Sequence, residues 1–353
     1  MARAIVPQEA FFLLGVAKTE LHFWERGPSP MAKAIEQILN SGGKTLTIGH
    51  FGLGMHGQDV GSAKQQVHDG DTITVRALGN LGVRFLGVDA PEISFRLPGI
   101  GQQQFIPVSD PRWEAFLRDP FAGSEGAAFR QSLRPALVSH LEAHLGPGVA
   151  TSHHRHAVAA QRALEHQVEA DMSELGETKE TFEFFLVFAA EVSDRYGRVL
   201  AYINRRQDSG SRPLDYNRRL LKAGLIDPYF IWPNINPFRK QKSAQDAVPL
   251  PGTANTLAQK DGTLQSARQW VMAARQSHLG LHDAQNPLRL RPFELRFLAQ
   301  RIPPSRWVID LSKNDDQLLH PENYHTIPQA EDRLFVPAEY VPLFLEKGWQ
   351  LAL

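Results

Sequence analysis

Apolar residues recur along this chain with two periods, and the elements they predict are short strands interleaved with helices. Alternation with a period of two marks strands at 73–75 and 83–88, joined as a hairpin across Gly79-Asn80-Leu81-Gly82. Further strands are expected at 46–48, 181–188 and 199–203. Helical spacing is found at 31–39, where Ile35, Ile38 and Leu39 share one side after Pro28-Ser29-Pro30. It returns at 123–145, where Phe129, Leu133, Leu137 and Leu141 recur every four residues until Gly146-Pro147-Gly148 stops them. Three more helices are expected at 152–175, at 214–224 with Gly224 closing it, and at 266–279. Apart from its one strand, the glycine-rich stretch 46–63 reads as loop, and the proline-rich stretch 93–120 as mostly irregular.

The strands predicted between 73 and 88 are bracketed by carboxylates. Asp69-Gly70-Asp71-Thr72 makes an acidic turn before the first, and Asp89-Ala90-Pro91-Glu92 ends the second. Hard divalent cations such as calcium prefer carboxylate and carbonyl oxygens, so Asp71, Asp89 and the backbone carbonyl of Ala90 are candidate ligands. An arginine beside such a cage suits a phosphate, which its planar fork grips through two bonds, and Arg84 is the candidate. Parity opposes this: Arg84 and Asp89 are separated by an odd number and face opposite sides of an ideal strand. They converge only if the chain bends near Gly87 or Asp89, and Pro91 favours a break there.

These residues resemble the staphylococcal nuclease (thermonuclease-like) family, whose hallmark is a DGDT turn followed by R-x-x-x-x-D-x-P-E, matched here by Arg84, Asp89, Pro91 and Glu92. Downstream, Asp194-Arg195-Tyr196-Gly197-Arg198 ahead of an apolar strand looks like the family's D-x-Y-G-R block. Gly224-Leu225 before Tyr229-Phe230-Ile231-Trp232 is similar to the family segment that follows its short helix. The resemblance covers 62–285 with gaps and implies an α+β fold: a five-stranded OB-type β-barrel with packed helices. To this the chain adds an insertion at about 146–178, an N-terminal extension at 1–61 and an acidic, folded C-terminal extension at 286–353. The activity implied is that of a calcium-dependent endonuclease, cutting phosphodiester bonds of DNA, RNA or both through a metal-oriented water and leaving 3′-phosphate ends. Asp71, Asp89 and the Ala90 carbonyl would hold Ca2+. Glu92, Arg84 and Arg198 would be catalytic, and Tyr196 and Tyr229 would bind substrate. Ala90 departs from the threonine of the best-known member, although the contact there is a backbone carbonyl. The alternative is a catalytically silent nuclease-like OB module that binds single-stranded nucleic acid or a protein partner.

Composition adds local charge to this picture. The 353 residues are 42% hydrophobic and 22% charged, with 38 basic against 38 acidic side chains and no cysteine, which excludes disulfides and thiolate metal sites. Any pull on nucleic acid must therefore come from patches, and 238–306 is one, with 11 basic residues against 4 acidic. The sign reverses at 310–347, where eight acids face three bases among aromatic residues, a stretch expected to fold and able to dock a protein partner. His153, His154, His156 and His166 lie in the insertion without a completing acidic or cysteine ligand, and they read as a solvated helix end. The apolar run 10–16 is too short to span a membrane and lacks a clear cleavage site, so a soluble, cytoplasmic protein is expected. Because lysine keeps the charge but loses the fork, Arg84→Lys is expected to slow DNA cleavage about a hundredfold, measured as turnover.

Overall fold

The computed structural model describes residues 33–39, 45–53, 75–77, 79–99, 104–194, 198–207, 210–239 and 242–353. The 69–72 turn, and with it Asp71, lies outside the described residues, as do Tyr196 and the apolar run 10–16. Secondary structure is mixed α and β, in several small sheets of two, three or five strands, and none of these closes into a barrel among the described residues. The chain divides into two units, Met1–Arg84 with Val192–Leu200, and Phe85–Glu191 with Ala201–Leu353.

In the first unit, β1 (Ile35–Leu39) pairs antiparallel with β2 (Thr45–Gly49), and β3 (Phe51–Leu53) with β4 (Val75–Ala77). This corrects the helix expected at 31–39. Two apolar runs with β-branched isoleucines flank Ser41-Gly42-Gly43, and that arrangement suits a hairpin better than a short helix. It also corrects the hairpin expected across Gly79–Gly82, because β4 takes β3 as its partner while β5 (Val83–Phe85) lies next to β10 (Val199–Arg205), with β9 (Phe184–Ser193) beyond it.

The second unit carries most of the core. Two-residue β6 (Val88–Asp89) is followed by the hairpin β7 (Ser94–Arg96) and β8 (Phe105–Pro107) and by α1 (Pro111–Arg118). Among the described residues of 93–120 the chain is therefore regular in β7, β8 and α1, where mostly irregular chain was expected. Asp110 caps α1 by accepting the Arg112 N–H at 2.9 Å, Pro111 opens the helix, and Trp113 and Leu117, four apart, are fully buried. The single helix expected at 123–145 is two, α2 (Gly123–Ser132) and α3 (Pro135–His144), because Pro135 cannot donate within a helix and begins a new one. The helix expected at 152–175 is α4 (Val149–Leu175). There follow α5 (Tyr216–Lys222), β11 (Asp227–Pro228), β12 (Phe230–Ile231), α6 (Ala244–Ala247), α7 (Ala254–Lys260) and α8 (Gly262–Gln276).

From α9 (Pro292–Gln300) onward the chain builds a five-stranded sheet of β13 (Trp307–Asp310), β14 (Gln317–Leu319), β15 (Arg333–Val336) and β16 (Gln350–Ala352), with α10 (Val341–Glu346) between the last two. Its order is β12-β15-β13-β14-β16, so a strand from the middle of the chain completes the C-terminal sheet. The pairing is parallel between β12 and β15, with Phe230 opposite Leu334. Packing follows the same mixture: Tyr229, Phe293 and Phe335 share one core cluster, and Trp232, Phe344 and Trp349 another.

Polar bonds fix α4 to its neighbours. Asp171, 4% exposed, accepts from Arg205 at 3.1 Å, from Arg219 at 3.1 and 2.7 Å, and from the Tyr216 hydroxyl at 2.6 Å. One carboxylate thus joins α4, β10 and α5, and its charge balances guanidiniums that burial would otherwise leave costly. Asp171→Ala is expected to lower the unfolding free energy by about 3–5 kcal/mol, measured by urea titration.

Candidate functional site

The acids singled out in the sequence are carried by a bent strand. Between β5 and β6 the chain turns at Leu86-Gly87, with Gly87 at φ +75°, where a Cβ would lie 3.3 Å from the Tyr202 hydroxyl. The bend delivers Asp89 into β6, which pairs antiparallel with β11 and sets Asp89 directly opposite Asp227. Two carboxylates facing one another across a ladder repel, and both are almost fully buried, at 3% and 2% exposure.

Helix α9 supplies the compensation. Arg296 donates from its two terminal nitrogens to the two oxygens of Asp89, at 2.9 and 2.7 Å, and again to Glu92 Oε1 at 2.8 Å. Arg291, at the cap of the same helix, donates to Asp227. Burial pushes the Asp227 carboxyl up to about 6 against the pull of Arg291. Burial would lower Arg296, but Asp89 and Glu92 outweigh it and hold the guanidinium above its usual pKa. The helix is itself anchored: Glu294 accepts the Arg291 N–H at 2.7 Å, the Tyr324 hydroxyl at 2.7 Å and His140 Nε2 at 3.0 Å. Burial opposes ionisation of Glu294, yet these bonds and the neighbouring His140 keep its pKa down at about 2.

Helix α4 reaches the same segment. His153 Nε2 accepts the Glu92 N–H at 2.8 Å, so the ring stays neutral on that nitrogen. His153 is fully buried and His156 nearly so, its Nε2–H donating to the Asn286 carbonyl at 2.7 Å. This corrects the solvated helix end expected for those two histidines. His154 is half-buried and His166 exposed.

Asp71 and Tyr196 lie outside the described residues. Arg84, in β5, and Arg198 belong to the first unit, where Arg198 donates to Asp194 from its backbone at 3.0 Å and its side chain at 2.8 Å. Ala90 is exposed in the second unit and Glu92 half-buried. Tyr229 corrects the expectation of a platform for a base. It is 7% exposed, its ring lies 5.5 Å from Phe293 and 4.6 Å from Phe335, and its hydroxyl accepts from Arg306 at 2.9 Å. The basic excess of 238–306 is also turned inward: besides Arg291 and Arg296, Arg268 pairs with Asp332 at 2.6 Å, Arg275 with Glu331 at 2.8 Å and Arg301 with Glu125. Arg239, Lys242 and Lys260 remain exposed. Arg296, Asp227 and His153 have no signal in the sequence that would attach them to the acids, because each comes from a distant segment.

Among the described residues no group of three His, Asp or Glu side chains is arranged to hold a metal ion. A calcium ion bound to Asp89 at the usual distance of about 2.3–2.6 Å would press against the guanidinium nitrogens that hold both its oxygens. With Arg296 in this position, Asp89 and Glu92 do not fit such an ion. Compared with known proteins, the chain matches no family model and no curated protein.

Burial pushes the His153 ring down to about 3, helped by the charge of Arg296, and burial holds His282 and His325 at about 4. An unfolded chain takes up these protons below pH 6.5 while the native state refuses them, so the stability that the neutral rings contribute is complete above 6.5 and is lost as pH falls. Denaturant titrations between pH 7 and 4 are expected to show this decline, with a slope shallower by about one proton in His153→Gln, whose amide oxygen still accepts the Glu92 N–H.

Proposed function

We propose that this chain is a nuclease-like phosphodiesterase acting on DNA, RNA or both, with Asp89 and Glu92 as acids of its site. The observation that carries the reading is that these two carboxylates, three residues apart in the D-A-P-E block, are turned onto one point, within 2.7–2.9 Å of the same guanidinium. On this reading Glu92 positions the attacking water or takes its proton, and Arg84 and Arg198 neutralise charge building on phosphate. The 5′ P–O bond breaks and a 3′-phosphate is left. Asp71 and the Ala90 carbonyl, the substrate-binding role of Tyr196, and a five-stranded OB-type barrel belong to the same proposal. Calcium is the cofactor that the resemblance implies for this site.

A second reading, a catalytically silent module that binds single-stranded nucleic acid or a protein partner, is favoured by one observation: both oxygens of Asp89 are already taken by Arg296. Heat-denatured DNA separates the two. The first reading expects cleavage that stops with a chelator and falls at least about a hundredfold in Glu92→Gln. Cleavage unchanged in Glu92→Gln removes that reading, and a mobility shift without cleavage supports the second.

A further inference from the structure

We propose that a cavity in the second unit, on the face of β6 opposite to Asp89, binds a small organic anion: one apolar ring inside and a carboxylate or phosphate head at the mouth, gripped by Arg218 and Arg239. The inference goes beyond the reading of Asp89 and Glu92 as acids of a nuclease-like site, and it does not depend on it.

The cavity holds about 200 Å³ and is walled by β6, β9, β10, α5 and α8. Its floor is apolar and buried, made by Leu86, Val88, Leu221, Phe230 and Ile235. Successive side chains of a strand point to opposite faces, so Val88 on this wall puts Asp89 on the other. The amides of the wall are spent inward. Asn217 accepts the Ile203 N–H at 3.2 Å and donates to the Leu86 carbonyl at 2.9 Å. Asn234 accepts the Glu191 N–H and donates to the Glu191 carboxylate, both at 3.1 Å. The Tyr202 hydroxyl donates to the Asn234 carbonyl at 3.2 Å, and burial pushes its pKa up, so the phenol adds no negative charge. With these groups satisfied, the interior suits an apolar body. A cavity of about 150 Å³ accepts benzene, so this one has room for a single ring.

Charge is concentrated at the mouth. Among the described residues that line the cavity the charged ones are Asp215, Arg218 and Arg239, two cations against one anion. Both oxygens of Asp215 are taken, one by the Arg218 N–H at 2.8 Å and the other by Arg218 Nε at 2.6 Å. That ion pair uses the Nε of the Arg218 side chain and leaves its two terminal nitrogens as donors. Arg239 is exposed and brings the net charge of this lining to +1. An anion balances it, and a carboxylate or a phosphate ester presents the paired oxygens that a guanidinium fork takes up.

Calorimetric titrations of the full chain with phenyl phosphate, benzoate, benzyl alcohol and inorganic phosphate test this. Phenyl phosphate, benzoate or both are expected to bind at millimolar concentration and to raise the melting temperature, and the tighter of the two names the head group. Benzyl alcohol carries the ring without the charge and inorganic phosphate the charge without the ring, so each is expected to bind at least about tenfold more weakly. Arg239→Gln is expected to weaken the anions about tenfold and to leave benzyl alcohol unchanged. Ala189 lines the cavity from β9 and is partly exposed, so Ala189→Phe fills the space with a ring of its own and is expected to abolish anion binding. If that variant does not fold, Arg239→Gln, at an exposed position, carries the test. No binding by either anion, benzyl alcohol or inorganic phosphate binding as tightly as the anions that combine ring and charge, or affinities that ignore either substitution in a folded variant, overturns the proposal.

Discussion

Two buried aspartates that face each other across a short ladder, and the two arginines of one helix that neutralise them, are the contact on which the second unit depends. Asp89 and Asp227 lie opposite in β6 and β11, and α9 presents Arg296 to the first and Arg291 to the second. Neither charge could be buried alone, since an unpaired carboxylate in such surroundings costs several kcal/mol. The pairs tie residues near 90 to residues near 295, and a small sheet of two-residue strands becomes a fixed part of the core. Glu294 on the same helix takes Tyr324 and His140, so α9 is held through three successive polar contacts rather than by packing alone.

The same logic runs through the rest of the unit. The acidic C-terminal stretch does not dangle beside the basic one. Asp332 and Glu331, just before β15, take Arg268 and Arg275 of α8, and the reversal of charge along the chain becomes internal pairing. Helix α4 is built in at both ends, by His153 on the Glu92 N–H and by Asp171 under Arg205 and Arg219. Neither α4 nor the C-terminal region is an appendage, because each supplies bonds to the segment that carries the candidate acids.

What was legible in the sequence follows from range. The acidic turns and the helix at 152–175 rest on local chemistry, and the helix stands in the structure at Val149–Leu175, whereas the strand expected at 83–88 is broken by a turn at Leu86-Gly87. Local reading failed where tertiary partners decide. Ile35, Ile38 and Leu39 have helical spacing, but the chain pairs 35–39 with 45–49. Pro135 divides a run of leucines whose four-residue spacing continues through it. Tyr229 looks like a ligand platform until Phe293 and Phe335 cover it, and Arg296 is one of eleven basic residues until folding brings Asp89 to it. Pairings over about two hundred residues leave no trace in spacing.

Arg296 and Asp89 stabilise each other directly, and a double-mutant cycle measures that coupling most simply. Unfolding free energies of wild type, Asp89→Asn, Arg296→Met and the double variant, taken from urea titrations without divalent cations, give the coupling between the two side chains. A buried, two-point ion pair predicts strong non-additivity, with the double variant losing at least about 2 kcal/mol less than the sum of the single losses. Losses that add to within about 0.5 kcal/mol would contradict it.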